Sequence, residues 1–239
     1  MDERTVSRRQ RPFVLTMFCC VQFVILTIIA MFFYGGGTVA DPAASGYALF
    51  QNFFSDLGLT KTRLGAPNTV SAVLFFVALT LAGLGLVLFF GAMPRFFRQS
   101  PLARVLSWLG SAAGIIAGLS FVGVAFTPAD LYLEPHALFV QGAFLALFIA
   151  TLFYLVTVLL TKSYPNRYAA VLAAFALLLV VYLWLLFTGP SPRSPEGLTI
   201  QATGQKFIVY AAIITVFIEA DGARRLTKAE AARRRPPAW

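Results

Sequence analysis

The chain has 239 residues, of which 59% are hydrophobic and 12% charged, and its formal net charge is +9. That balance excludes an ordinary soluble domain, and apolar runs of membrane length recur along it, so the solvent for most side chains is lipid. Nucleic acid is excluded as a partner because the basic residues sort by side of the membrane instead of lining one groove.

In chain order, residues 1–11 form a basic start with Arg4, Arg8, Arg9 and Arg11. A first span is expected over 12–34. It is too long for the core of a secretory signal, which is about 7–15 residues. Cys19 and Cys20 lie inside it, and adjacent cysteines do not form an ordinary disulfide, so they read as buried thiols. Gly35-Gly36-Gly37 ends the span.

The connection that follows carries Gln51-Asn52-Phe53-Phe54-Ser55-Asp56-Leu57-Gly58. At roughly 100° per residue, residues 47–57 place Tyr47, Leu49, Phe50, Phe53, Phe54 and Leu57 on one side of a helix. Gln51, Asn52, Ser55 and Asp56 take the other. The expectation is an amphipathic helix lying in the membrane–water interface, its polar side toward water or other polar groups.

Asn68 is placed to start a second span over 69–92. A short basic loop with Arg95, Arg98 and Arg104 leads to a third, over 105–126. Gly110, Gly114 and Gly118 recur every four residues in it, a face that lets another helix approach closely. An acidic loop with Asp130 and Glu134 precedes the fourth span, 136–161. The fifth, 168–188, has no polar face and is expected at the lipid edge. The sixth needs 200–220 to reach membrane length, because its purely apolar part covers only 207–218. This carries Gln201, Gln205 and Lys206 to membrane depth. The rest, 221–239, reads as a basic, disordered cytoplasmic tail near anionic lipid.

The predicted fold is therefore all-α: a polytopic membrane protein, a six-helix transmembrane bundle over 12–220 with an interfacial amphipathic helix in its first outer loop. The basic residues are crowded before span one, between spans two and three, between spans four and five, and after span six. The positive-inside rule then makes both termini cytoplasmic, in a multi-pass inner-membrane protein. The first, third and fifth connections share the outer face.

Ionisable groups at membrane depth are candidates for function. Lys206 is one; Asp56, Asp130 and Glu134 are the outer carboxylates available to it. His136, the single histidine, follows Glu134 and is a candidate general base. One histidine and no paired cysteines fall short of known catalytic zinc sites, so neither metal nor cofactor is expected. The favoured reading is not an enzyme. It is an outward pocket of Asn52, Ser55, Asp56, Asp130, Glu134, His136, Gln205 and Lys206 that binds a lipid head group or small polar ligand. An intramembrane hydrolase or lipid-modifying enzyme using His136 with Ser55 or a carboxylate is the first alternative. A small transporter is the second; it needs polar residues near the midplane, where Gln22 stands alone.

Phe54-Ser55-Asp56-Leu57-Gly58 before span two, Phe126-Thr127-Pro128-Ala129-Asp130 with His136, and Gly204-Gln205-Lys206 entering span six form a further pattern. It resembles the bacterial six-span domain-of-unknown-function family nine-nine-eight, similar in layout to the DRAM and FRAG-type membrane proteins. The resemblance implies a six-helix membrane fold with a polar outer-face cluster. It implies no defined activity, substrate or cofactor.

Overall fold

Long apolar runs with few helix breakers leave the backbone one way to satisfy its own hydrogen bonds in lipid, the α-helix. The computed structural model, which describes residues 3–233, contains six of them: α1 (Glu3–Phe33), α2 (Thr69–Ala92), α3 (Pro101–Phe126), α4 (Leu133–Leu159), α5 (Asn166–Thr188) and α6 (Pro195–Arg233). Two short 3-10 turns, Phe54–Gly58 and Met93–Phe96, complete the secondary structure. Each α-helix packs on its sequence neighbours, and α6 returns to α1, so the six close into a ring.

Five helices are long and apolar enough to cross a membrane, over Thr5–Phe33, Thr69–Phe96, Pro101–Phe126, Leu133–Leu159 and Asn166–Thr188. The expected count was six. α6 is not among the five; its purely apolar run, 207–218, is bounded by Gln205 and Lys206 on one side and Glu219 on the other.

Small residues set the helix crossings. A Cβ on Gly83 would stand 2.5 Å from the Gly118 carbonyl oxygen, and one on Gly118 would stand 2.6 Å from that of Gly83. The backbones of α2 and α3 therefore touch, as the expected glycine face of α3 requires. Gly110 and Gly114 on the same face receive the Tyr154 and Phe90 rings. Polar side chains tie α1 to α2: Thr16 Oγ1 donates to the Gly85 carbonyl at 2.9 Å and Gln22 Nε2 to that of Ala78 at 3.0 Å. Gln22, the expected midplane polar residue, is thus a helix fastener. α5 does present a broad exposed side, with Leu177, Val181 and Trp184 each more than 60% exposed.

Two expectations about element extents are corrected. The tail over 221–239 is not disordered through its first part, since α6 continues to Arg233; residues 234–239 lie outside the described residues. Ala220, Ala223, Thr227 and Ala231 are buried on that extension. Gln10 Nε2 donates to the Arg224 carbonyl at 3.0 Å, and Arg95 reaches Thr227 Oγ1 at 2.6 Å. At the other terminus α1 begins at Glu3 and runs through Pro12.

The larger correction concerns residues 47–57. Only Phe54–Gly58 is helical, as a 3-10 turn, and its polar groups point inward. Asn52 is 0% and Asp56 3% exposed, whereas Leu49 and Phe50 are 47% and 59% exposed. The expected two-sided helix does not form: Phe54 and Leu57 from its apolar side are buried beside Asn52 and Asp56 from its polar side, while Gln51 is exposed with Leu49 and Phe50.

Candidate functional site

The cluster begins with Asn52, whose side chain uses both its ends. Its Oδ1 accepts from the Ala48 N–H at 2.9 Å, and its Nδ2 donates to the Gly37 carbonyl at 2.9 Å and to Asp56 Oδ2 at 2.8 Å. Gly37 holds φ +90°, and a Cβ there would lie 2.6 Å from Arg63 Cβ, so glycine is required at this approach. Asp56 Oδ2 also accepts from the Phe53 N–H at 3.0 Å, while Oδ1 pairs with Arg63 Nη2 at 3.2 Å. Burial pushes the Asp56 carboxyl above its ordinary value; the Asn52 amide, the Arg63 guanidinium and the Phe53 N–H pull it down without cancelling that rise.

α6 enters this loop from below. Gln205 Oε1 accepts from the Phe54 N–H at 2.8 Å. The Lys206 ammonium donates to the Asn52 carbonyl and, at 3.4 Å, to the Ala202 carbonyl of its own helix. It also lies 5.3 Å from the centre of the Tyr47 ring and 5.8 Å from that of Phe54, in cation–π range. Lys206 is 6% exposed. It does not reach outward to water, and among the described residues it pairs with no carboxylate; Asp56 takes Arg63 instead.

The expected pocket divides into separate parts. Asn52, Ser55, Asp56, Gln205 and Lys206 come together. Asp130 is exposed and fastens a different stretch, accepting from the Thr60 N–H at 3.1 Å, the Thr60 hydroxyl at 2.5 Å and the Lys61 N–H at 3.2 Å. Partial burial raises its carboxyl, but these hydrogen bonds outweigh it and hold the group below its ordinary value. Glu134 is exposed, with no ion pair or hydrogen bond among the described residues. His136 is buried and its Nδ1 sits 2.7 Å from the Thr127 carbonyl oxygen, closing the turn from α3 to α4. Among the described residues no hydrogen bond joins His136 to Ser55, and no group of three His, Cys, Asp or Glu is placed to hold a metal.

Beneath the 3-10 turn lies a cavity of about 80 Å³ between the helices. Its walls include Phe23, Phe75, Leu79, Phe121 and Val209, while Ser55 and Gln205 stand among its few polar groups. The Ser55 hydroxyl has no hydrogen-bond partner among the described residues. The outer cluster is internally satisfied and the empty space below it is apolar, an arrangement suited to an amphiphile rather than to a polar solute.

Arg63, Tyr47, Gly37 and Tyr34, whose hydroxyl donates to the Gly37 carbonyl at 3.0 Å, were missed as site residues by sequence reasoning. Arg63 carried a signal: it is a basic residue on the sparsely basic side of the topology, seven positions from Asp56. Glu219 was also missed. It is 2% exposed on α6, and neither carboxyl oxygen has a hydrogen-bond partner among the described residues.

The ring of long apolar helices defines a multi-pass helical integral membrane protein. Comparison with protein-family models, with curated proteins and with solved structures finds no match to the chain.

Proposed function

We propose that the protein is a six-span membrane protein that binds a lipid-like amphiphile under its outer loop. The apolar part of the ligand occupies the cavity between the helices, and its polar part meets Ser55 and Gln205 at the edge of the Asn52–Asp56–Lys206 cluster. The observation that carries this reading is an apolar cavity whose roof holds a hydroxyl without a partner among the described residues. The loop is a lid: a whole lipid is larger than the space present, so the turn lifts to admit it. The place of α6 in the helix ring supports a sixth span, with both termini cytoplasmic by the positive-inside rule. The resemblance to family nine-nine-eight belongs to the same proposal and adds no activity to it.

The test is lipid retention. Protein purified in mild detergent is examined by native mass spectrometry with added phospholipid, comparing wild type with Ala82→Phe, which fills the cavity. Wild type retains lipid, and the filled variant loses it while keeping its thermal midpoint. Equal retention by both proteins rules out the cavity as the site.

A further inference from the structure

At the other end of α2 the chain builds a second concave site, unconnected with the cavity under the outer loop. We propose that the groove between the C-terminal end of α2 and the first turns of α3 binds the phosphate of an anionic phospholipid. The groove has a volume of about 470 Å³ and is lined by Gly91, Pro94, Arg95, Arg98, Arg104 and Trp108. Its floor is open at Gly91, where an added Cβ would meet nothing within 4 Å.

Arg95, Arg98 and Arg104 all line the groove, and no carboxylate does. Arg95 is fixed by its surroundings: it donates to the Arg9 carbonyl at 2.6 Å and to Thr227 Oγ1 at 2.6 Å, and it lies over the Phe13 and Phe96 rings at 4.7 and 4.8 Å. Arg104 donates one N–H to the Arg98 carbonyl at 2.7 Å. The Arg98 guanidinium has no protein partner among the described residues, and Arg104 keeps its remaining N–H groups free. Neither makes an ion pair there. Planar guanidinium groups recognise phosphate oxygens through paired N–H bonds, and one arginine already held in place lowers the ordering cost of the contact.

The surface beside the groove selects a lipid over a free phosphate. Leu102, Val105 and Trp108 on the first turns of α3 are 57%, 56% and 62% exposed. An indole at the membrane interface and an apolar strip running from it along the helix fit the glycerol and acyl region below a bound head group. A neighbouring cavity shares Arg95 and Arg98, but Glu230 lines it. That carboxylate disfavours an anion, which places the phosphate on the Arg104 side.

The experiment uses the full chain in detergent and the quenching of tryptophan fluorescence by brominated lipids. Brominated phosphatidylglycerol quenches saturably and more strongly than brominated phosphatidylcholine, and the excess disappears in Trp108→Phe. Arg98→Gln with Arg104→Gln weakens the apparent affinity for phosphatidylglycerol by about tenfold per arginine, the factor expected for losing a charge-assisted hydrogen bond to the phosphate. Arg8→Gln with Arg11→Gln removes the same net charge outside the groove and leaves the affinity unchanged. Equal quenching by the two lipids overturns the proposal, as does equal weakening in the two double variants. Glycerol phosphate that displaces the lipid at matched concentration overturns the lipid assignment.

Discussion

Asn52 and Lys206 stand 154 positions apart in the chain and meet where the Asn52 carbonyl accepts from the Lys206 ammonium. This contact joins the first outer connection to the last helix, with Gln205 beside it holding the Phe54 N–H. Two consecutive residues of α6 thus hold the Asn52–Phe54 stretch of the loop.

Lys206→Ala removes a charge-assisted hydrogen bond and its ring contacts together. A loss of about 1.5–3 kcal/mol is expected, read as a lower midpoint of thermal unfolding in detergent. The variant's loop is also expected to be cut sooner by trypsin at Lys61 and Arg63. Unchanged cleavage would mean that the lysine does not seat the loop.

Asp56 and Asp130 predict opposite responses to pH. Burial raises the native Asp56 carboxyl, so its contribution is full below the ordinary value of 3.8 and is lost as pH rises through the raised native value. Asp130 is lowered, so its contribution is present above 3.8 and is lost as pH falls through the depressed native value. Asp56→Asn is expected to flatten the stability profile above 3.8, and Asp130→Asn below it. Thermal midpoints across an acid pH series decide this; the same profile in both variants would refute the assignment.

His136 is expected to act as a turn fastener. Asn carries an amide nitrogen near the position of Nδ1, so His136→Asn keeps the bond to the Thr127 carbonyl. It should unfold near the wild-type midpoint, whereas His136→Ala loses about 0.5–1.5 kcal/mol. If both variants fold normally but both lose a lipid-dependent activity, the histidine has a chemical role instead.

The α2–α3 crossing tolerates no side chain. Gly118→Ala is expected to cost about 1–3 kcal/mol by forcing the two backbones apart. Gly142→Ala on α4, where the nearest atom is 3.7 Å from the added Cβ, should instead gain about 0.5–1 kcal/mol from helix propensity. Comparing the two midpoints separates close packing from a general effect of glycine.

Glu219→Met is expected to raise the thermal midpoint. It removes a carboxylate whose two oxygens have no hydrogen-bond partner among the described residues, while keeping its bulk beside a cavity of about 20 Å³. A lower midpoint would reveal an ion or water held by the carboxylate.

The helices were legible in the sequence because lipid imposes one backbone solution on long apolar runs, and glycine spacing on α3 marked its close face. The polar loop was half legible. Its period separated Asn52 and Asp56 from Leu49 and Phe50, but the buried set draws Asn52, Phe54, Asp56 and Leu57 from both sides of that helical wheel. That depended on Arg63 and Lys206, partners 7 and 154 positions away. The expected site residues lie in separate parts for a related reason. Asp130 and His136 share a side of the protein with Lys206, yet each is satisfied by nearby backbone groups of Thr60 and Thr127. Composition also misled at the C-terminal end, where a charged sequence remains helical because alanines on one side pack against the bundle.

α6 has 39 residues, a rod about 58 Å long at 1.5 Å per residue, against a hydrocarbon slab about 30 Å thick. On the proposed topology its last turns stand clear of the lipid beside the first turns of α1, stitched to them by Gln10 and Arg224. A reporter attached at Lys228 would therefore move rigidly with the bundle, keeping a fixed bearing on the bilayer normal instead of sampling a tether's range of orientations.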